Sequence, residues 1–186
     1  MSLHTVMTSL KRSLAVLAVL SGLSGVLSAG FASGPAVATA LEAKPTGTVI
    51  LQVSGKISAT NAGDEAHFDL DMLKGMPAAT FNTSTVWTDG ENSFTGVPLK
   101  DLLATLGAHG RTLRATAIND YAVRIPVSDA VSPGPIVAYA MNGKSMSRRG
   151  KGPLWIVYPF DQHSRFQSET IYSRSIWQLD RLEVID

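Results

Sequence analysis

The stretch AYAMNGKSMSRRGKGPLWIVYP, Ala138–Pro159, holds two strands and the loop between them. IVAYAM, Ile136–Met141, and LWIVY, Leu154–Tyr158, are apolar runs bounded by turn residues, a pattern that suits buried central strands. Asn142-Gly143-Lys144-Ser145 imitates the end of a phosphate-binding loop. That motif requires a glycine where Ala138 stands, and the preceding residues look like strand, so a hairpin turn is the reading. Three cations then follow, Arg148, Arg149 and Lys151, interleaved with Gly150 and Gly152. A basic, glycine-flexed loop therefore leads into the mouth of a buried strand.

Outward from this centre, short strand patterns alternate with punctuation. Thr48–Ile57 alternates and is β-branched, ending near Gly55. AHFDLDMLKGMP predicts a strand and one helical turn stopped by Gly75 and Pro77, and Thr80–Trp87 is a threonine-rich strand before a turn at Asp89-Gly90. The clearest helix follows Pro98, with Leu99, Leu102, Leu103 and Leu106 on one face and Gly107 placed to end it. Leu113–Ile118 and Tyr121–Ile125 read as strands joined at Asn119-Asp120. A short helix begins at Ser168, and Gln178–Ile185 is the last strand. The sum is an α+β chain with mixed β-sheets and a few short helices.

The N-terminus has a different composition. Lys11 and Arg12 precede an apolar run, Leu14–Ala32, and small-residue sites follow at Ala36-Val37-Ala38 and Ala38-Thr39-Ala40. This is the order of a secretory signal peptide, residues 1–40, leaving one domain over 41–186. An uncleaved anchor is the competing reading, because the run is about as long as the roughly 20 residues that span a bilayer. Export with cleavage predicts a periplasmic or otherwise exported protein with no stable membrane insertion. Beyond Ala40 there are fourteen basic and fifteen acidic residues, which excludes a strongly basic nucleic-acid binder.

The chain has no cysteine. An exported domain of this size can bury enough surface to stand without disulfides, and thiolate catalysis and thiolate metal ligation are excluded. Neither a GxSxG elbow nor an HExxH pair is present, and His67, His109 and His163 show no ligand spacing. Three stretches still suggest a site: Asn119-Asp120-Tyr121, the Arg148–Lys151 loop with Trp155, and Tyr172–Trp177. Each also has a plain structural reading, as a turn, a solvated loop and a core aromatic.

Taken in order, FTGVPLKDLL, NDYAVRIP, AYAMNGKSMSRRGKGPLWIVYP and SIWQLDRLEV resemble the molybdopterin-binding domain of the sulfite oxidase family, over Thr48–Asp186. The resemblance implies that fold, and a pterin cofactor, either a reduced pterin or molybdopterin. Carried over by position, the family's cofactor contacts fall on Asp120 and its neighbour Tyr121, on Arg149 and Trp155, and on Ser175, Ile176 and Trp177. Arg174 is added as a guanidinium able to stack on the ring. Asp120 would meet the ring's amino-amide edge with two hydrogen bonds, and the basic loop would hold a phosphate or face a protein.

One position departs from the family. Its catalytic members place a molybdenum-binding cysteine on the strand matched by TFNTSTVW, where Thr83 stands here. A neutral hydroxyl replaces a soft thiolate poorly, so molybdenum is doubtful. The resemblance to cysteine-less relatives implies a non-catalytic, exported pterin-binding protein. Its expected partner is the periplasmic domain of an inner-membrane signalling protein, such as a cyclic-di-GMP enzyme. The alternative is a molybdopterin-dependent oxidoreductase with a non-cysteine metal site, with Thr83, Thr85 or no protein ligand at the metal.

Overall fold

The computed structural model describes residues 39–41 and 43–186, which belong to one compact unit. The leader expected over residues 1–40 lies outside this range except for Thr39 and Ala40. These two form a short strand, β1, pairing in parallel with β3, Ala59–Thr60. Among the described residues no helix is long and apolar enough to cross a membrane.

The two apolar runs that flank the basic loop become neighbours. β9, Ile136–Met141, and β11, Leu154–Val157, pair antiparallel through Trp155↔Ala138, Ile156↔Val137 and Val157↔Ile136. Their near-complete burial follows from their place inside the sheet, whose order is β4-β2-β12-β11-β9-β6-β5. Here β2 is Leu51–Gly55, β4 Ala66–Phe68, β5 Ala79–Thr85, β6 Thr88–Pro98 and β12 Trp177–Ile185. β7, Thr112–Ala117, and β8, Ala122–Pro126, form a hairpin attached to β12, while the short β10, Lys144–Ser145, folds back on β9. Mixed pairing arises because β12 runs parallel to β2 and antiparallel to β7 and β11.

β12 joins the two halves of the sheet. Its start, Trp177–Leu179, pairs with β11, and its later residues Arg181–Val184 pair with β2. The register against β7 shifts between Leu179 and Arg181, so the strand bends where it changes neighbours. Close approach elsewhere also has a local cause. A Cβ on Gly96 would stand 2.2 Å from the Val137 carbonyl oxygen, so only glycine lets β6 lie against β9 at that irregularity.

Among the described residues three short α-helices pack on this frame. α1, Leu70–Gly75, is capped by Asp69, whose carboxylate accepts from the Met72, Gly47 and Thr46 amides at 2.8 Å. α2, Leu99–Thr105, buries the predicted leucine face and ends in a Schellman turn: Gly107 N–H donates to the Ala104 carbonyl and Ala108 N–H to that of Leu103. Pro98 precedes the helix as its cap residue. α3, Glu169–Arg174, starts at Ser168 as expected. Leu51, Phe94, Leu102, Trp155 and Tyr158 are fully buried at the centre of the core.

One expectation is corrected. The turn after β5 falls on Val86 and Trp87, and Asp89-Gly90 lies inside β6. The Asn92 amide donates to Thr88 Oγ1 and to the Asp89 and Gly90 carbonyls, wrapping this polar segment into the strand, and Gly90 takes φ of +63°. The shift places Trp87 at the tip of the hairpin.

Candidate functional site

A pocket of about 350 Å³ opens where three elements meet. The β7–β8 corner contributes Ala117, Asn119 and Tyr121. The segment from α3 into β12 contributes Tyr172, Ser173, Ser175, Ile176, Trp177 and Gln178, and the β5–β6 turn contributes Trp87. This volume lies at the lower end of small-ligand pockets. Two of the three stretches singled out in the sequence thus converge.

The walls are aromatic. Trp87 stands edge-on to Trp177 at 5.3 Å and to Tyr172 at 6.2 Å between ring centroids. Tyr121 is largely exposed at the rim. Behind the wall lies Trp155, with no exposed surface, 6.0 Å from Trp87 and 6.2 Å from Trp177. Edge-to-face packing of this kind fixes ring directions as well as burying area.

Polar groups are set among the rings. Asn119 Oδ1 accepts from the Tyr121 amide, which leaves the Asn119 amide nitrogen as a donor. Gln178 donates its side-chain nitrogen to the Arg148 carbonyl at 2.7 Å and the Gly150 carbonyl at 3.1 Å, leaving Oε1 as an acceptor. Its backbone holds φ of +53°, uncommon for a residue with a long side chain. The Lys151 ammonium lies 4.2 Å from the Trp177 ring centroid and 5.3 Å from that of Trp155. Burial lowers its pKa, and the ring faces offset part of the lost hydration.

The structure redistributes the residues carried over by resemblance. Tyr121, Ser175, Ile176 and Trp177 line the pocket. Asp120 does not. At φ of +66° its carboxylate turns away and accepts from Arg181 at 2.7 Å, with 81% of the side chain exposed. Arg181 also donates to Asp180 and to the Ala117 carbonyl, so the guanidinium holds the corner from its outer side. Arg174 is engaged by Asp129 at 2.8 Å, and Tyr158 Oη donates to the same carboxylate oxygen at 2.8 Å. Burial followed by the Asp129 charge pushes the Tyr158 hydroxyl pKa well up. That guanidinium is structural rather than a stacking surface.

Trp155 is a core residue for the same kind of reason. Its indole N–H donates to both the carbonyl and hydroxyl of Ser175, and the Ser175 hydroxyl donates to the Ile156 carbonyl at 2.6 Å. The pair locks the floor of the pocket from behind. Arg149 stands exposed on the loop and does not line the pocket. The lining residues that sequence reasoning left out are Trp87, Ala117 and Gln178. The signal for Gln178 is a polar residue directly after Trp177, and that for Trp87 is a tryptophan at a hairpin end, legible only once the hairpin turn is placed.

Thr83, on which the resemblance places the family's cysteine, has no exposed surface. Its hydroxyl donates to the Ser84 carbonyl at 3.3 Å and accepts from the Asp161 amide at 3.1 Å. Asp161 in turn accepts from the Ser84 amide and hydroxyl, and the Ser84 amide is the first cause of its lowered pKa. Among the described residues no group of three or more His, Asp or Glu side chains is arranged to hold a metal. A buried, hydrogen-bonded neutral hydroxyl in place of a thiolate does not fit a molybdenum ion at this corner. The aromatic pocket, with a free donor and acceptor, does fit a flat heterocycle.

Comparison with solved structures agrees with this architecture. The crystal structure of the sulfane dehydrogenase SoxCD from Paracoccus pantotrophus matches with a TM-score of 0.54 at 19% identity, over 73% of this chain and 38% of that one. The likeness shows the sulfite oxidase-like α+β fold, and this chain spans little more than a third of that structure's length. No curated protein sequence matches the chain. Residues 62–162, more than half of the sequence, match the family model described as the oxidoreductase molybdopterin-binding domain, and the chain belongs to that family.

Proposed function

We propose that the protein is an exported pterin-binding module that holds a reduced pterin, or the pterin of molybdopterin, without carrying out metal-dependent redox chemistry. The observation that carries this reading is the aromatic pocket of about 350 Å³, with Thr83 buried and outside its lining. Trp177, Trp87 and Tyr172 offer ring surface, and stacking a base-like ring on such a side chain is worth about 1–3 kcal/mol. With Asp120 turned outward, the ring's amino-amide edge is met by neutral groups: Gln178 Oε1 accepts from ring N–H groups and the Asn119 amide donates to the ring carbonyl.

A binder of this kind serves as the ligand-sensing partner of a membrane signalling protein, a cyclic-di-GMP enzyme being one candidate. The leader-like order of residues 1–40 supports export. The family description supports a pterin-type ligand.

The test is an anaerobic titration of the purified protein with tetrahydropterin, read by quenching of tryptophan fluorescence and by calorimetry. Saturable one-to-one binding that weakens in Trp177→Ala is expected. Absence of heat and quenching at saturating ligand would remove the proposal. Stoichiometric molybdenum on protein isolated from its native host would select the oxidoreductase alternative instead.

A further inference from the structure

The nearly neutral chain places its charge unevenly. From Ala130 to Phe160 no acidic residue occurs, while Lys144, Arg148, Arg149 and Lys151 fall within one short loop. Among the described residues none of these four forms a salt bridge. Lys144, Arg148 and Arg149 are exposed, and beside them lies a recess of about 540 Å³ lined by Met141, Asn142, Met146 and Ser147 together with Lys144 and Lys151.

A solvated basic loop has no need of a fixed backbone, but this one is held. The amides of Gly150 and Gly152 donate to the Ser147 carbonyl at 3.0 and 2.9 Å, and Gly152 approaches Met146 too closely to accept a Cβ. From the other side Gln178 donates its side chain to the Arg148 and Gly150 carbonyls and its own amide to that of Lys151. Gln178 holds these three bonds with a left-handed backbone, a costly conformation for this residue type. The same residue lines the aromatic pocket, and Lys151 lies over the pocket's Trp177.

We infer that the Lys144–Lys151 loop is a docking surface for an acidic segment of a protein partner, and that Gln178 and Lys151 tie its position to occupancy of the aromatic pocket. The second half rests on the ligand-binding reading given above. Unpaired cations held on a rigid backbone give the charge complementarity that steers and orients an acidic partner. Concavity favours a peptide over a bilayer, because the recess accepts a side chain while a flat lipid surface bridges it. A ligand contacting Trp177 and Gln178 shifts the loop only as far as it binds its two positions unequally.

The experiment uses a fluorescein-labelled octaglutamate peptide as the acidic probe, read by fluorescence anisotropy at low salt with and without saturating tetrahydropterin. The double variant R148E/R149E is expected to lose at least about tenfold in peptide affinity, and K74E/K100E, which changes net charge equally, less than about twofold. Tetrahydropterin is expected to shift wild-type peptide affinity by at least about threefold. Thermal melts of each variant check folding, with Arg149→Gln as the milder substitution. Equal losses in the two double variants would overturn the docking surface. So would an Arg148- and Arg149-dependent preference for phosphatidylglycerol vesicles or inorganic phosphate over the peptide. Peptide binding with no pterin-dependent shift would overturn the coupling. If tetrahydropterin causes no tryptophan quenching, the pocket reading fails, and the two double variants still decide the surface.

Discussion

Thr83 and Trp87 lie on the same hairpin, β5–β6, and face different problems. Around Thr83 the polar group is buried and bonded: the hydroxyl gives to the Ser84 carbonyl and takes from the Asp161 amide. Around Trp87 the rings of Trp177 and Tyr172 leave a pocket in which Asn119 and Gln178 keep unused hydrogen-bonding capacity. In this chain the Thr83 corner and the aromatic pocket are therefore different environments. One has been filled with a bonded hydroxyl, and the other remains a cavity.

The comparison breaks first if the floor of the pocket is not structural. Trp155 is wholly buried and packs against Phe94 at 5.3 Å as well as the pocket tryptophans. Trp155→Ala is expected to cost about 3–5 kcal/mol of stability, the range for removing a core aromatic. Urea denaturation measures it. A loss near zero would place Trp155 among the ligand-facing residues after all.

Trp177→Ala should act on the other property. Half-buried and facing the pocket, it is expected to cost about 1–3 kcal/mol of tetrahydropterin binding by calorimetry. An unchanged affinity would mean that the ring lies elsewhere.

A smaller effect is expected at the closed corner. Thr83→Val keeps the shape but strands the Asp161 amide, costing about 1 kcal/mol of stability with pterin affinity unchanged. Asp161 also gives this corner a pH dependence. Its folded pKa is lowered, chiefly by the Ser84 amide, so its contribution is complete above the unfolded value of about 3.9. That contribution is lost as pH falls through the lower folded value. Thermal midpoints on the acid side should fall less steeply in Asp161→Asn. Thr83→Cys, produced in a host that makes molybdopterin, is expected to acquire no stoichiometric molybdenum by elemental analysis, because the side chain has no access.

The strands and helices were legible because they obey short-range rules. Ile136–Met141 and Leu154–Val157 are apolar enough to be interior strands, and the leucine face with Gly107 marks α2. Part of the site was legible as well, since Asn119–Tyr121 and Tyr172–Trp177 do converge. Side-chain direction was not. Arg174 looks free until Asp129 is brought to it across a separation of 45 residues, and Trp155 looks like a stacking surface until Ser175 claims its indole N–H. Such partners are chosen by tertiary placement and leave no local pattern. The Asp89-Gly90 turn misplaced Trp87 because Asn92, a few residues later, satisfies the carbonyls that a tight turn would have exposed.

The smallest expected effect belongs to Asp120, on which the resemblance places a cofactor contact. Asp120 stands where a carboxylate would meet the pterin edge, yet Arg181 holds it on the outer side of the corner. Because the pair is exposed, Asp120→Ala is expected to cost only about 0–1 kcal/mol of stability, and tetrahydropterin affinity should stay within about twofold of wild type. Asn119→Ala, by contrast, removes a group that lines the pocket and is expected to weaken binding by about 1 kcal/mol. If Asp120→Ala instead loses more than the Asn119 variant, ligand binding must draw the carboxylate away from Arg181 and into the pocket. The corner would then rearrange on binding, and Arg181→Ala should strengthen the ligand by freeing Asp120.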